Sequence, residues 1–108
     1  MSEHTDKTIE WNLGFAHDEV VAGLEKLLKQ AGYSYTQATI DDAAQFQATL
    51  PSGTLRLVAR ALPAHHSPFN SFIFFHRTLL TMTFTGVSTE DEEVFMRRLT
   101  LTFLRAGG

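Results

Sequence analysis

The sequence contains no cysteine, and this absence removes several kinds of site at once. Disulfide bonds, iron–sulfur clusters, thiolate zinc sites and cysteine nucleophiles all require the thiol group. The remaining composition is 44% hydrophobic and 19% charged over 108 residues, which is typical of one folded globular domain. A chain of this length buries enough apolar surface to fold without a covalent or metal cross-link.

Long apolar runs and an excess of positive charge are also missing. No apolar run approaches the roughly 20 residues that a membrane-spanning helix needs, so no membrane partner is expected. The net charge is −3, whereas nucleic-acid binding usually requires clustered lysine and arginine, so no nucleic-acid partner is expected either. Residues 1–7 are polar, lack the pattern of a signal peptide and are predicted to form a disordered tail. A cytoplasmic location is therefore the default prediction.

The first third of the chain predicts a strand followed by a helix. Residues 8–15 alternate between apolar and polar side chains, which is the period of a half-buried strand. From residue 18 to residue 31 the apolar side chains recur at helical spacing instead. His17 or Asp18 is predicted to cap the start of this helix, and Gly32 follows it where a left-handed C-terminal cap belongs.

The middle of the chain predicts a meander of antiparallel strands. Strands are expected at residues 33–40, 45–50 and 54–62, with turns at residues 41–42 and 51–53 between them. In the second of these strands, Phe46, Ala48 and Leu50 are predicted to face inward.

Residues 69–85 form the most hydrophobic segment, and they are too long for one strand of typical length. We predict a hairpin that turns at residues 75–78 and pairs Phe74 with Leu79. This register places the following side chains on one face: Phe69, Ile73, Phe75, Leu80, Met82 and Phe84.

A second helix is predicted to begin after Ser88. Serine suits the N-cap position, and the acidic residues 90–93 suit the first turn of a helix because of the helix dipole. Residues 99–103 also alternate as a strand does, but no turn signal precedes them. A helix that continues to about residue 104 therefore requires fewer assumptions.

The predicted order of elements is β-α-β-β-β-β-β-α within a single domain at residues 8–108. Short connections favour a mostly antiparallel sheet of five to six strands, with two helices on one face in a two-layer α+β sandwich. This order resembles the TATA-binding-protein-like and helix-grip class, or a variant of the ferredoxin-like fold. A resemblance at the level of the fold predicts no particular function.

Several apolar side chains are predicted to face away from the core. On the open face of the sheet these are Val58, Leu62, Phe72, Phe74 and Leu79. On the second side of the last helix they are Val94, Leu101 and Leu104. Contiguous exposed apolar surface usually marks an interface or a ligand groove, so a homodimer or another bound partner is expected. The alternatives are a sheet that curls over these residues, a different register, and contact between the two helices.

Two further groups of side chains suggest binding or chemistry. Arg56 and Arg60 share one strand face, and together they are candidates to grip a carboxylate or phosphate; a solvated ladder explains them equally well. Histidines at positions 65, 66 and 76 have the ligand chemistry for zinc or iron, but their spacing matches no metal motif, so no metal or cofactor is predicted. No phosphate loop or nucleophile elbow is present either. A non-enzymatic binding domain is the leading hypothesis, and a histidine-based enzyme is less favoured.

A pocket for a small apolar ligand between the last helix and the sheet is the main alternative. Its predicted lining is Trp11, Tyr33, Tyr35, Phe46 and Phe103.

The C-terminal residues Leu104-Arg105-Ala106-Gly107-Gly108 resemble the tails of ubiquitin-like modifiers and of sulfur-carrier proteins such as the small subunit of molybdopterin synthase. In those families the terminal di-glycine is adenylated, so the resemblance implies a carrier protein. Their β-grasp fold begins with a hairpin before its helix, which differs from the order predicted here. A glycine stop at the end of the last helix is the other interpretation.

Overall fold

The domain is an antiparallel sheet covered on one face by two helices. A computed structural model describes residues 4–63, 65–66 and 74–106. The elements are β1 (His4–Leu13), α1 (His17–Ala31), β2 (Ser34–Ile40), β3 (Ala43–Thr49), β4 (Thr54–Ala61), β5 (His65–His66), β6 (Phe74–Phe75), β7 (Thr78–Ser88) and α2 (Thr89–Ala106). Five strands form one sheet in the order β1-β7-β4-β3-β2, and β5 pairs with β6 separately. This is the predicted α+β fold with the predicted order of elements.

One face of the sheet and the two helices enclose a single hydrophobic core. Alternate residues of β3, β4 and β7 are buried, as the period of a strand requires. The largest fully buried side chains are Phe46, Phe84, Phe95, Leu24, Leu28, Leu55, Leu57, Leu80, Met82, Leu99, Val20 and Val87. The inward-facing residues predicted for this part of the chain are confirmed, since Phe46 and Ala48 of β3 and Leu50 just after it are buried.

The predicted hairpin partner of β7 is wrong. β7 pairs with β1 on one side and β4 on the other, so Leu79 lies between Asn12 and Arg60 rather than opposite Phe74. Phe74 pairs instead with His66 in the small separate ladder. The alternating pattern of β7 is compatible with pairing to any strand that has an apolar face. The prediction chose the segment nearest along the chain, which is not the partner of β7. The predictions for Phe69, Phe72 and Ile73 lie outside the described residues.

α1 begins without the predicted side-chain cap. Ala16 is the N-cap residue and makes no side-chain capping hydrogen bond, so the assignment of that role to His17 or Asp18 is wrong. The ring Nε2 of His17 instead lies 3.0 Å from the carbonyl oxygen of Ala59 on β4. At the other end, Gly32 has a φ of 76°, which is the predicted left-handed cap.

β1 begins at His4, inside the segment predicted to be a disordered tail. The Asp6 carboxylate accepts a hydrogen bond from the backbone N–H of Gly86 at 3.0 Å. Lys7 forms an ion pair with Glu92, with 2.6 Å between Nζ and Oε2. These contacts join the start of β1 to β7 and α2, so Asp6 and Lys7 belong to the folded domain.

The start of α2 is held by a network of three polar side chains. Ser88 is the predicted cap, and its Oγ accepts a hydrogen bond from the backbone N–H of Asp91 at 3.2 Å. Ser52, in the turn between β3 and β4, accepts the N–H of Ser88 at 2.8 Å and donates to the Asp91 carboxylate. The helix then continues to Ala106, so the strand interpretation of residues 99–103 is wrong.

Candidate binding groove

α1 and α2 make close contact at Gly23, which has no side chain to keep them apart. A methyl group added at Gly23 would lie 3.0 Å from Cε1 of Phe103 on α2. The Phe103 ring is almost completely buried and packs on Phe15, with 5.7 Å between the ring centroids. The two helices are therefore in contact, and this contact depends on a small residue in α1.

A groove of about 310 Å³ runs beside this contact on the outer side of the helices. Its lining residues are Gly23, Lys26, Leu27, Gln30, Arg98, Leu101 and Thr102. Leu27 is buried and forms an apolar floor, whereas Lys26, Gln30 and Arg98 are exposed. The groove therefore combines an apolar floor with a polar rim.

Leu101 is the apolar side chain that this surface exposes most. Its exposed fraction is 53%, although Leu99 and Phe103 on the same helix are buried. Leu101 belongs to the second apolar stripe that the helical spacing predicts, and it lies outside the core. Val94 of the same stripe is half-buried, and Leu104 lies within α2.

The charged residues that line the groove are both cations. Lys26 reaches it from α1 and Arg98 from α2, and among the residues that the structure describes no acidic side chain is part of the lining. The charge of α2 explains part of this, because its acidic residues occupy the first turn and arginines follow further along. That order suits the helix dipole, which favours anions at the N-terminus and cations towards the C-terminus. The result is a positive groove on a chain with a net charge of −3.

The described part of the open sheet face carries both polar and apolar side chains. The strand registers place Thr8, Thr83, Arg56, Gln47 and Thr36 in one row across all five strands. Val58, Leu62 and Leu79 are half-buried rather than exposed. Phe74 lies in β6, outside the five-stranded sheet, and Phe72 lies outside the described residues.

The two arginines predicted to grip an anion are not brought together. Arg56 and Arg60 share one face of β4, but four residues of strand separate their Cα atoms by about 13 Å. Arg60 donates a hydrogen bond to the carbonyl oxygen of Asp41 at 3.1 Å. Arg56 lies between Thr83 and Gln47 on the neighbouring strands. The two arginines therefore have different neighbours in the sheet.

The three histidines considered as metal ligands lie in or beside the small β5–β6 ladder, where His65 pairs with Phe75, the neighbour of His76. His17 contacts Ala59, His76 is exposed in the connection before β7, and His65 and His66 form β5. Within residues 4–63, 65–66 and 74–106, no group of three histidine or acidic side chains is arranged to hold a metal ion.

The aromatic residues predicted to line a ligand pocket pack into the core in separate places. Tyr35 packs on Phe46 with 6.0 Å between ring centroids, while Phe103 packs on Phe15. Trp11 lies against the core from β1. The di-glycine at positions 107 and 108 lies outside the described residues.

Of the described residues that line the groove, only Leu101 was predicted from the sequence as a candidate. Gly23, Lys26 and Gln30 look like ordinary positions of an amphipathic helix. A glycine in the interior of a helical pattern was the available signal, because glycine is unfavourable there and often marks close packing.

Fold and groove together define this chain as a small two-layer α+β domain. Among the residues that the structure describes, no helix is long and apolar enough to cross a membrane. Comparison with protein-family models, with curated proteins and with solved structures finds no match to this chain.

Proposed function

We propose that this chain is a small, non-enzymatic, cytoplasmic protein-binding domain. Its binding site is the groove between α1 and α2, and the ligand is an acidic amphipathic segment of a partner protein. The observation that carries the proposal is the exposure of Leu101 in a groove lined by the cations Lys26 and Arg98.

The groove offers the two kinds of contact that such a segment needs. An apolar side chain of the partner would cover Leu101 and reach the floor at Leu27. Removing the exposed half of a leucine from water contributes about 1 kcal/mol. Acidic residues beside that anchor would pair with Lys26 and Arg98, each contributing about 0.2–1 kcal/mol. This sum supports weak, reversible binding that depends on salt concentration.

The positive charge of the groove distinguishes between the kinds of partner segment that could bind there. A basic amphipathic segment would place like charges against Lys26 and Arg98. A neutral apolar segment would cover both cations without supplying acceptors for their N–H groups, which is unfavourable. An amphipathic helix with apolar residues three and four positions apart and acidic residues beside them fits both features.

Two synthetic helical peptides test the proposal. Both carry leucines at the same positions, and they differ only in having glutamate or lysine beside them. Fluorescence anisotropy should show that the glutamate peptide binds about tenfold or more tightly than the lysine peptide, a difference of about 1.4 kcal/mol. The affinity for the glutamate peptide should fall as salt is added.

Variants locate the site. Leu101→Ser and Arg98→Glu should each weaken binding of the glutamate peptide about fivefold or more, an effect of about 1 kcal/mol. Arg97→Glu is the matched control, because Arg97 is an exposed neighbour that does not line the groove. Equal binding of the two peptides, or an equal loss in Arg97→Glu, would contradict the proposal.

A further inference from the structure

β2 is an edge strand without the features that usually protect such strands. Within the described residues it pairs with β3 on one side only. Its seven residues, Ser34–Ile40, include no charged residue, proline or glycine. Exposed edge strands usually carry a lysine, a proline or a β-bulge, because their free N–H and C=O groups otherwise pair with another strand.

The opposite edge of the sheet, strand β1, is protected by both a lysine and a β-bulge. β1 carries Asp6, Lys7 and Glu10, and its pairing with β7 is interrupted by a bulge between Thr5 and Lys7. The ion pair between Lys7 and Glu92 also ties this edge to α2. The contrast shows that the absence of protection is particular to β2.

The edge of β2 is also accessible from the helical side of the sheet. Six of its seven residues are exposed. A groove of about 330 Å³ that is open to solvent lies between α1 and β2. Its lining residues are His17, Asp18, Val21, Ala22, Glu25, Gln37, Thr39 and Ala44. A second strand can therefore approach β2 without meeting the helix.

We propose that β2 pairs antiparallel with β2 of a second copy of this chain, so that one sheet continues across a homodimer. A two-fold axis at Gln37 lets all seven residues of both strands pair, since Gln37 is the midpoint of Ser34–Ile40. Thr36 then faces Ala38 of the second copy. Because the strand is uncharged, this pairing brings no like charges together. The proposal goes beyond the helical groove and is independent of it.

The charges of α1 favour a second copy over an unrelated extended peptide. The tight turn at Gly32 sends β2 back antiparallel to α1, which places Lys29 beside the start of β2. Asp18 lies beside the other end of β2, in the groove with Thr39. The two-fold axis brings the start of one β2 next to the end of the other. The acidic first turn of each α1 is therefore brought towards the basic last turn of the other, which favours this pairing, while Glu25 lines the groove beside Gln37.

The mass of the protein in solution tests this dimer. Size-exclusion chromatography with light scattering should give twice the chain mass of 12.1 kDa. The double variant Thr36→Lys, Ala38→Lys places lysines directly opposite one another across the axis and should give a monomer. Its matched control is Gln47→Lys, Thr49→Lys, which makes a comparable change on β3, a strand with both edges occupied, and should remain a dimer.

A cross-link tests the register. Because the sequence has no cysteine, a single introduced cysteine reports one position. Gln37→Cys should form a disulfide between two copies under mild oxidation, and Gln47→Cys should not. A wild-type monomer at millimolar concentration, or a dimer that survives the β2 lysines, would overturn the proposal. Peptide binding by the lysine variant would show that the helical groove acts independently of the dimer.

Discussion

The Thr78 hydroxyl donates a hydrogen bond to the carbonyl oxygen of Phe15 across 2.8 Å. Thr78 is fully buried at the start of β7, and Phe15 lies in the connection between β1 and α1. The bond therefore fixes the path by which the chain leaves the sheet and enters its first helix.

Replacing Thr78 with valine should destabilise the domain by about 1–2 kcal/mol, because the Phe15 carbonyl loses its donor while the buried shape is preserved. Urea denaturation followed by circular dichroism measures this change. Thr81→Val is the control, since Thr81 lies on the open face of the same strand, where a change within about 0.5 kcal/mol is expected. Equal stability of the two variants would show that the hydrogen bond contributes little.

Gly23→Val should destabilise the domain by about 1–3 kcal/mol, because the added carbon atoms overlap the Phe103 ring. Helix propensity alone predicts a small gain for this change, since glycine is the poorer helix former. Ala22→Val adds bulk at an exposed neighbouring position and should cost only about 0.5 kcal/mol. Thermal unfolding of the two variants separates close helix packing from propensity.

Ser52 and Ser88 should act as one unit. Each serine-to-alanine change should cost about 1 kcal/mol, because each removes a hydrogen-bond partner at the start of α2. The double variant should lose less than the sum of the single losses, by about 0.5 kcal/mol or more, since the two hydroxyls share one network. Additive losses in denaturant unfolding would show that the two hydrogen bonds are independent.

The turn between β2 and β3 has a left-handed backbone that substitution can test. Asp41 and Asp42 have φ angles of 51° and 63°, which is left-handed backbone that favours glycine. Asp42→Gly should be more stable than Asp42→Ala by about 1 kcal/mol, because alanine retains the Cβ that crowds this conformation. Both changes remove the same charge, so their difference reports the backbone alone. A thermal melt in which the alanine variant is equal or better would exclude a left-handed Asp42.

Local features of this fold were predictable and distant ones were not. The Gly32 cap, the Ser88 cap and the inward side of β3 follow from short patterns within single elements. The partners of β7 do not, because Leu80 lies between Trp11 and Ala59, and an alternating strand carries no signal for either.

The candidate groove shows the same limit. Helical spacing placed Leu101 outside the core, but Lys26 becomes its neighbour only through the contact between α1 and α2. The absence of charge in residues 34–40 is visible in the sequence, yet only the strand order shows that these residues form an edge.

The position of β7 between β1 and β4 also determines when the domain is able to fold during synthesis. In the five-stranded sheet β1 pairs with β7 alone. Leu13 therefore cannot pair until its partner Thr78, far along the chain, has been synthesised. At ribosomal rates of about 5–20 residues per second, that delay is roughly 3–13 s. During this delay the backbone of β1 has no strand to pair with, and its apolar side chains are not yet covered by the sheet. A pairing of such high sequence separation slows folding and leaves β1 without its partner strand until β7 has been made.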